Sequence, residues 1–268
     1  MKRSIDYRHV AAKYDRRYNG ISFDGIERVL LSFVGSNSAH RVLEVGCGTG
    51  HWLAFLESHG YSVSGMDPSP QMLKQARDHV PSGDLKQGHA HEIPWEDNSF
   101  DRLFCVNAVH HFERKSQFVS EACRVLRTDG GLLIVGMDPH KGRDQWCVYD
   151  YFDGVRELDL RRYPPTSEIE RLMHGAGFSE CHTVEAHHMS MQFPARKAIE
   201  EGLLDKTIVS QLGILADADY DRGLQRVWKD IANSEARGEQ AVLVVDLLFY
   251  ATMGWKRSQV ARDSIDGS

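Results

Sequence analysis

Between residues 41 and 137 the chain switches repeatedly between strand and helical periodicity, and this alternation restricts the fold more than any other feature. RVLEVG (41–46) is a β-branched, apolar run that stops at glycine, the pattern of a buried strand. HWLAFLESHG (51–60) sets Leu53, Leu56 and Glu57 at helical spacing and reaches Gly60 where a left-handed C-terminal residue belongs. YSVSGMD (61–67) alternates as a second strand. PQMLKQARDHV (70–80) opens on proline, with apolar residues at 72, 73, 76 and 80. DLKQG (84–88) reads as a third strand and SFDRLFCVNAV (99–109) as a fourth. KSQFVSEACRVL (115–126) puts Phe118, Val119, Ala122, Val125 and Leu126 on one helical face, and TDG (128–130) turns into a fifth strand, GLLIVGM (131–137). Strands separated by helices at this spacing imply βαβ units with right-handed crossovers, hence a mostly parallel sheet covered on both faces.

Past residue 138 the rhythm changes. DPHKGRDQWCVYDYFDGVRELDLRRYPP (138–165) is polar and aromatic without a clear period. TSEIERLMHGAGF (166–178) predicts a helix capped by Thr166 or Ser167, with Glu170 three residues beyond Ser167. ECHTVEAHHMSMQF (180–193) predicts a sixth strand. Residues 194–240 predict helices, with Tyr220, Leu224, Val227, Trp228 and Ile231 on one apolar face and Asp217 or Asp219 as N-cap. VLVVDLLFYATMGWK (242–256) returns to strand character.

The segment between the first strand and the first helix, Glu44-Val45-Gly46-Cys47-Gly48-Thr49-Gly50, carries the chemistry. Glycines in a first βα turn let backbone N–H groups approach a ligand at the carboxyl ends of the strands. A pyrophosphate fingerprint wants glycine or alanine five residues after Gly46, where this chain has His51. Glu44 adds an anion beside the loop, which repels phosphate and attracts a cation. Asp67 ends the second strand, 21 residues after Gly46, where a carboxylate can accept from both hydroxyls of a ribose. These features point to a nucleoside carrying positive charge.

LEVGCGTG, then GMDPSPQML, EIPWEDNSFDRLFCVNAVHHF and VLRTDGGLLIVG, resembles the class I S-adenosylmethionine-dependent methyltransferases, in the small-molecule branch with ubiquinone/menaquinone-type and trans-aconitate-type enzymes. The resemblance covers about residues 7 to 137. It implies an α/β, Rossmann-like, doubly wound and mostly parallel seven-stranded sheet with an antiparallel last strand and a helical cap insertion. It also implies S-adenosyl-L-methionine as cofactor, with S-adenosyl-L-homocysteine as product. Glu44, Gly46, Cys47 and Gly48 would hold the methionine moiety, and Asp67 the ribose. Pro68 and Met72 would lie beside the adenine, Ala90 would meet its edge, and Val106 and Asn107 would line the methionine side. HVAAKYDRRY resembles the family's leading helix, in which Tyr14 would close over the cofactor. His89 stands where the family often has an acidic residue, and a neutral imidazole could accept from the adenine amino group there.

Fourteen histidines raise the question of a metal. His110-His111 and His187-His188 should each diverge, and His89 and His91 lack an acidic or thiol partner at ligand spacing, so no metal site is expected. His111, after the fourth strand, is the candidate base, set against a packing role. Trp146, Tyr149, Tyr151, Phe152 and Tyr163 are either a hydrophobic cluster under a loop or the substrate pocket; Trp146, Tyr149, Tyr151 and Tyr163 are the substrate-binding candidates. Arg161 and Arg162 read as solvated.

The expected organisation is one domain over 1–268: lid helices in 1–35, a cofactor-binding core in 40–137, substrate-side cap insertions in 138–165 and 194–240, and a last strand at 242–256. The net charge of −6 leaves no basic footprint, so nucleic acid is not the expected partner. Five scattered cysteines without C-x-x-C suggest reduced thiols, and the N-terminal stretch has no apolar signal core; a cytoplasmic protein without a membrane span is expected. The expected function is methyl transfer by in-line displacement to a small aromatic or carboxylic acceptor, at O, N or C. The alternatives are an RNA- or tRNA-modifying methyltransferase and a cofactor-binding protein without methylation activity.

Overall fold

A computed structural model describes residue 15, residues 21–36 and residues 40–257. They fall into two compact units. The larger comprises Asp24–Gly136, Pro165–Ala186 and the residues from Tyr250 on; the smaller comprises Met137–Pro164 and His187–Phe249, with Phe23.

The larger unit opens with helix α1 (Asp24–Val34), which buries Ile26, Leu30, Phe33 and Val34 at helical spacing. The alternating region then yields β1 (Arg41–Val45), α2 (His51–Ser58), β2 (Ser62–Asp67), α3 (Pro70–His79), β3 (Asp84–Gln87), β4 (Phe100–Val106), α4 (Lys115–Val125) and β5 (Leu126–Met137). Ser69 caps α3 through its hydroxyl, which accepts from Met72 N, and Pro70 fills the first helical position, where no N–H is needed. β5 starts five residues before the expected Gly131. The TDG turn survives inside it as Asp129 at φ +62° and a register shift between Phe100 and Arg102 on β4.

The sheet runs β3-β2-β1-β4-β5 and then β8 (Val242–Lys256), on which β7 (Phe178–Pro194) pairs. β1 pairs in parallel with β2 and β4, β2 with β3, and β4 with β5. β8 is antiparallel to its neighbours: its last residue, Lys256, donates to Leu126 O at the start of β5, while its Trp255 and Thr252 meet Ser179 and Thr183 of β7. Leu43, Val45, Phe100, Leu103, Phe118, Leu132 and Ile134 fill the core between the sheet and α4.

Helix α7 (Thr166–Gly175) corrects the expected cap. Pro165, at φ −59° and ψ 148°, is the N-cap, Thr166 is already helical and buried, and no side chain caps the helix. Glu170 instead accepts from the Thr183 hydroxyl on β7.

The smaller unit holds the short β6 (Gln145–Trp146), α5 (Cys147–Tyr151), α6 (Val155–Arg162), α8 (Ala195–Glu200), α9 (Ser210–Gly213) and α10 (Asp217–Ala236), with the ends of β7 and β8 that belong to it. β6 is a strand beyond the seven expected, antiparallel to β8 through Gln145–Asp246 and Trp146–Val245, and two residues are too few to show a period. The cap of α10 is Ala216, not an aspartate; Asp217 is its first helical residue and pairs with Lys206. Val227 and Ile231 are buried on α10 as expected, but Trp228 is 39% exposed, with Arg196 stacked on its ring. The buried arc turns the other way, onto Gly223, where a Cβ would stand 2.1 Å from the Phe152 ring.

Candidate active site

Because β1, β2, β3 and β4 are parallel, their carboxyl ends lie along one edge of the sheet. The order β3-β2-β1-β4-β5 reverses direction between β1 and β4, the place where open α/β sheets leave a crevice. Glu44 and the glycine loop, Asp67, the Gly88-His89-Ala90 turn and Val106-Asn107 all stand at this edge.

The loop is fastened to β2. Gly46 N and Cys47 N both donate to Met66 O, at 2.8 and 3.0 Å. Gly46 sits at φ +80°, and a Cβ there would come within 2.6 Å of Ala108 Cβ, beyond the end of β4. Both the backbone conformation and the space therefore require glycine. Gly48 N donates to Asp67 Oδ2 (3.0 Å) and Ser69 N to Asp67 Oδ1 (2.9 Å), so the carboxylate braces the loop and the entrance to α3 together. A carboxylate has about four acceptor positions, and these bonds leave lone pairs on both oxygens. Burial raises the Asp67 pKa, and the N–H groups of Ser69 and Gly48 oppose that rise.

Glu44 is 1% exposed, and its Oε2 is buried without a hydrogen-bond partner. Burial first, and then the charge of Asp67, push its carboxyl well above the usual range. Among the described residues no ion pair reaches either carboxylate.

The remaining candidates are placed as follows. Cys47, Met72, Ala90 and Val106 are buried, whereas Pro68 and His89 are exposed. Asn107 takes φ +50°, a conformation asparagine tolerates better than most residues, and its N–H donates to Val135 O. Tyr14 lies outside the described residues. His111 is exposed at the end of a 3₁₀ turn (Val109–His111), next to buried His110, with the ring centroids 4.0 Å apart. His187 packs near Phe23 and Phe249, while His188 pairs with Asp246 on β8. No group of metal-binding side chains occurs among the described residues.

The substrate-binding candidates all belong to the smaller unit, where Trp146, Tyr149 and Tyr151 pack against the cluster formed by Cys147, Val148, Phe152 and Val155. Tyr149 Oη donates to Asp159 Oδ2 (2.9 Å), and Gln211 Nε2 lies within hydrogen-bond distance of both Asp159 Oδ2 and Tyr163 Oη. Tyr151 is drawn away to Asp230. Arg162, expected in solvent, has a side chain only 14% exposed, 3.6 Å from Asp159. Asp159 itself is wholly buried, and that burial pushes its pKa up to about 6, against the bonds from Tyr149 and the charge of Arg162. Sequence reasoning missed Asp159 and Gln211, since α6 carries no apolar stripe to mark which of its faces turns inward.

Residues 43–134 match the family described as a methyltransferase domain. An uncharacterized methyltransferase of Staphylococcus carnosus is 32% identical over 158 residues, 56% of this chain and 75% of that protein. The phthiotriol/phenolphthiotriol dimycocerosates methyltransferase 1 of Mycobacterium ulcerans is 37% identical over 128 residues, 46% of this chain and 47% of that protein. The chain spans about half the length of several curated relatives that it matches. Among solved structures, the YcgJ protein of Bacillus subtilis has a TM-score of 0.58 at 21% identity, covering 88% of this chain and 99% of that one, a likeness of fold.

Proposed function

The chain belongs to the class I S-adenosylmethionine-dependent methyltransferase family, and from that premise we propose that it methylates a small organic acceptor. The observation that carries this reading is the pair of carboxylates, buried Glu44 and half-buried Asp67, joined by a glycine loop and lacking a side-chain cation among the described residues. Buried anions need a partner. The ammonium of the cofactor's methionine arm suits the unpartnered Oε2 of Glu44, and its ribose hydroxyls suit the spare acceptor positions of Asp67. Gly46 and Gly48 keep side chains out of the loop, and Met72, His89 and Ala90 would border the adenine.

When bound at Glu44, Asp67 and the glycine loop, S-adenosylmethionine would supply a methyl group activated as a sulfonium. The protein's work would then be alignment of the acceptor with that methyl group. Val106 and Asn107 would line the methionine side. His111 would take a proton from a hydroxyl, amine or carbon acid, whereas a carboxylate acceptor needs no base.

The net charge of −6 counts against RNA as the acceptor. The Mycobacterium ulcerans relative, named for an organic compound and not for a nucleic acid, agrees with this. No helix of the described residues is long and apolar enough to cross a membrane. The five cysteines are free thiols, which supports a reducing, cytoplasmic setting.

Incubation of the full chain with methyl-labelled cofactor and fractionated metabolite extracts tests the activity. A labelled small-molecule product is expected. Labelled RNA would point to the other substrate class, and cofactor binding without product in any extract would leave a binding protein.

A further inference from the structure

The two site carboxylates differ in how they are held. Asp67 accepts from two backbone N–H groups, Gly48 and Ser69, which favour its charged form. Glu44 is 1% exposed, and among the described residues its Oε2 has no hydrogen-bond partner and Asp67 is the charge beside it. Among the described residues, the other titratable groups interacting with Glu44 are the thiols of Cys47 in the loop and Cys105 on β4, neither of which brings positive charge. Two like charges cannot both stay ionised in so dry a place without a cation, and the one without hydrogen-bond donors gives way.

We propose that Glu44 holds a proton while no cation lies beside it, and releases that proton to solvent when the cofactor's ammonium group docks. The O–H bond of Glu44 breaks, the proton goes to buffer, and the carboxylate left behind pairs with the ammonium. Cofactor loading is thereby coupled to pH: between the ordinary glutamate range and the raised pKa of Glu44, affinity increases as pH rises, because less work is needed to remove the proton. The coupling belongs to the amino-acid arm of the ligand and not to its adenosine.

The inference rests on the cofactor reading, but infrared spectroscopy can observe the proton without any ligand. The unliganded full chain at neutral pH should show a protonated-carboxyl band that Glu44→Gln removes. Absence of the band, or its persistence in Glu44→Gln, overturns the proposal even if nothing binds. Calorimetric titration with S-adenosylhomocysteine in phosphate and in Tris, whose ionisation heats differ, gives the second readout. Binding heats should differ between buffers in the sense of proton release, approaching one proton, and 5′-methylthioadenosine, which lacks the amino-acid arm, should show no such difference. A buffer-independent heat for S-adenosylhomocysteine, or equal release with both ligands, overturns the coupling while leaving the cofactor reading intact. Failure of both ligands to bind overturns the cofactor reading itself. Because both wild-type measurements stand alone, poor folding of Glu44→Gln would leave the proposal falsifiable.

Discussion

Glu44 and Asp67 stood out in the sequence because an acid that ends an apolar strand has few structural uses. Their inequality did not, since it depends on where Gly48 N and Ser69 N point after folding. Glu44 has a folded pKa above its unfolded value, so the folded state binds the extra proton between those values. Stability of the unliganded protein should therefore fall as pH rises through that window, and saturating cofactor should flatten the fall; thermal melts with and without ligand measure both. Gly46 was legible as a turn residue, but its closeness to Ala108 was not, because those residues meet only through the sheet. Gly46→Ala should destabilise by about 2–4 kcal/mol, from the left-handed backbone and the clash together, and urea unfolding would show it as a lower midpoint. Asp159 stayed hidden in a stretch without period. Its pKa of about 6 means that its share of stability is lost as pH rises from 3.8 through about 6, a slope that Asp159→Asn should remove from melting curves taken across that range. Removing the hydroxyl that serves it, by Tyr149→Phe, should cost about 1.5–3 kcal/mol in urea unfolding.

At the scale of elements, the existence and type of long periodic segments were legible, and their ends only in places. The last strand was expected over 242–256 and runs Val242–Lys256. The caps of α7 and α10 were misplaced because Pro165 and Ala216 leave the chain extended one residue before the expected polar cap, so Thr166 and Asp217 already lie inside their helices. Trp228 sits at the rim of the α10 stripe, and which rim is buried was decided by Phe152, which packs on Gly223 and is far off in sequence. This neighbour also reverses a common expectation. Gly→Ala in a helix interior usually stabilises by about 1 kcal/mol. At Gly223 the added methyl would fall 2.1 Å from the ring of Phe152, itself 1% exposed, so Gly223→Ala should lower the unfolding midpoint.

For the whole molecule, alternation alone specified the parallel sheet, since only βαβ crossovers connect such strands. The segments 138–165 and 194–240 were legible only as surplus; their residues are now seen to share one core, built from Phe152, Val155, Leu212, Val227 and Ile231. Contacts between distant stretches of chain built that core, and no local period announces such contacts. Whether the larger unit's carboxylates hold S-adenosylmethionine is decided by titration calorimetry of the full chain. Wild type should bind saturably at one site, and Asp67→Asn should weaken binding about ten- to a hundredfold, the loss of a charged hydrogen-bond acceptor. No binding by wild type, or equal affinity in the variant, would show that the carboxylates do not hold it.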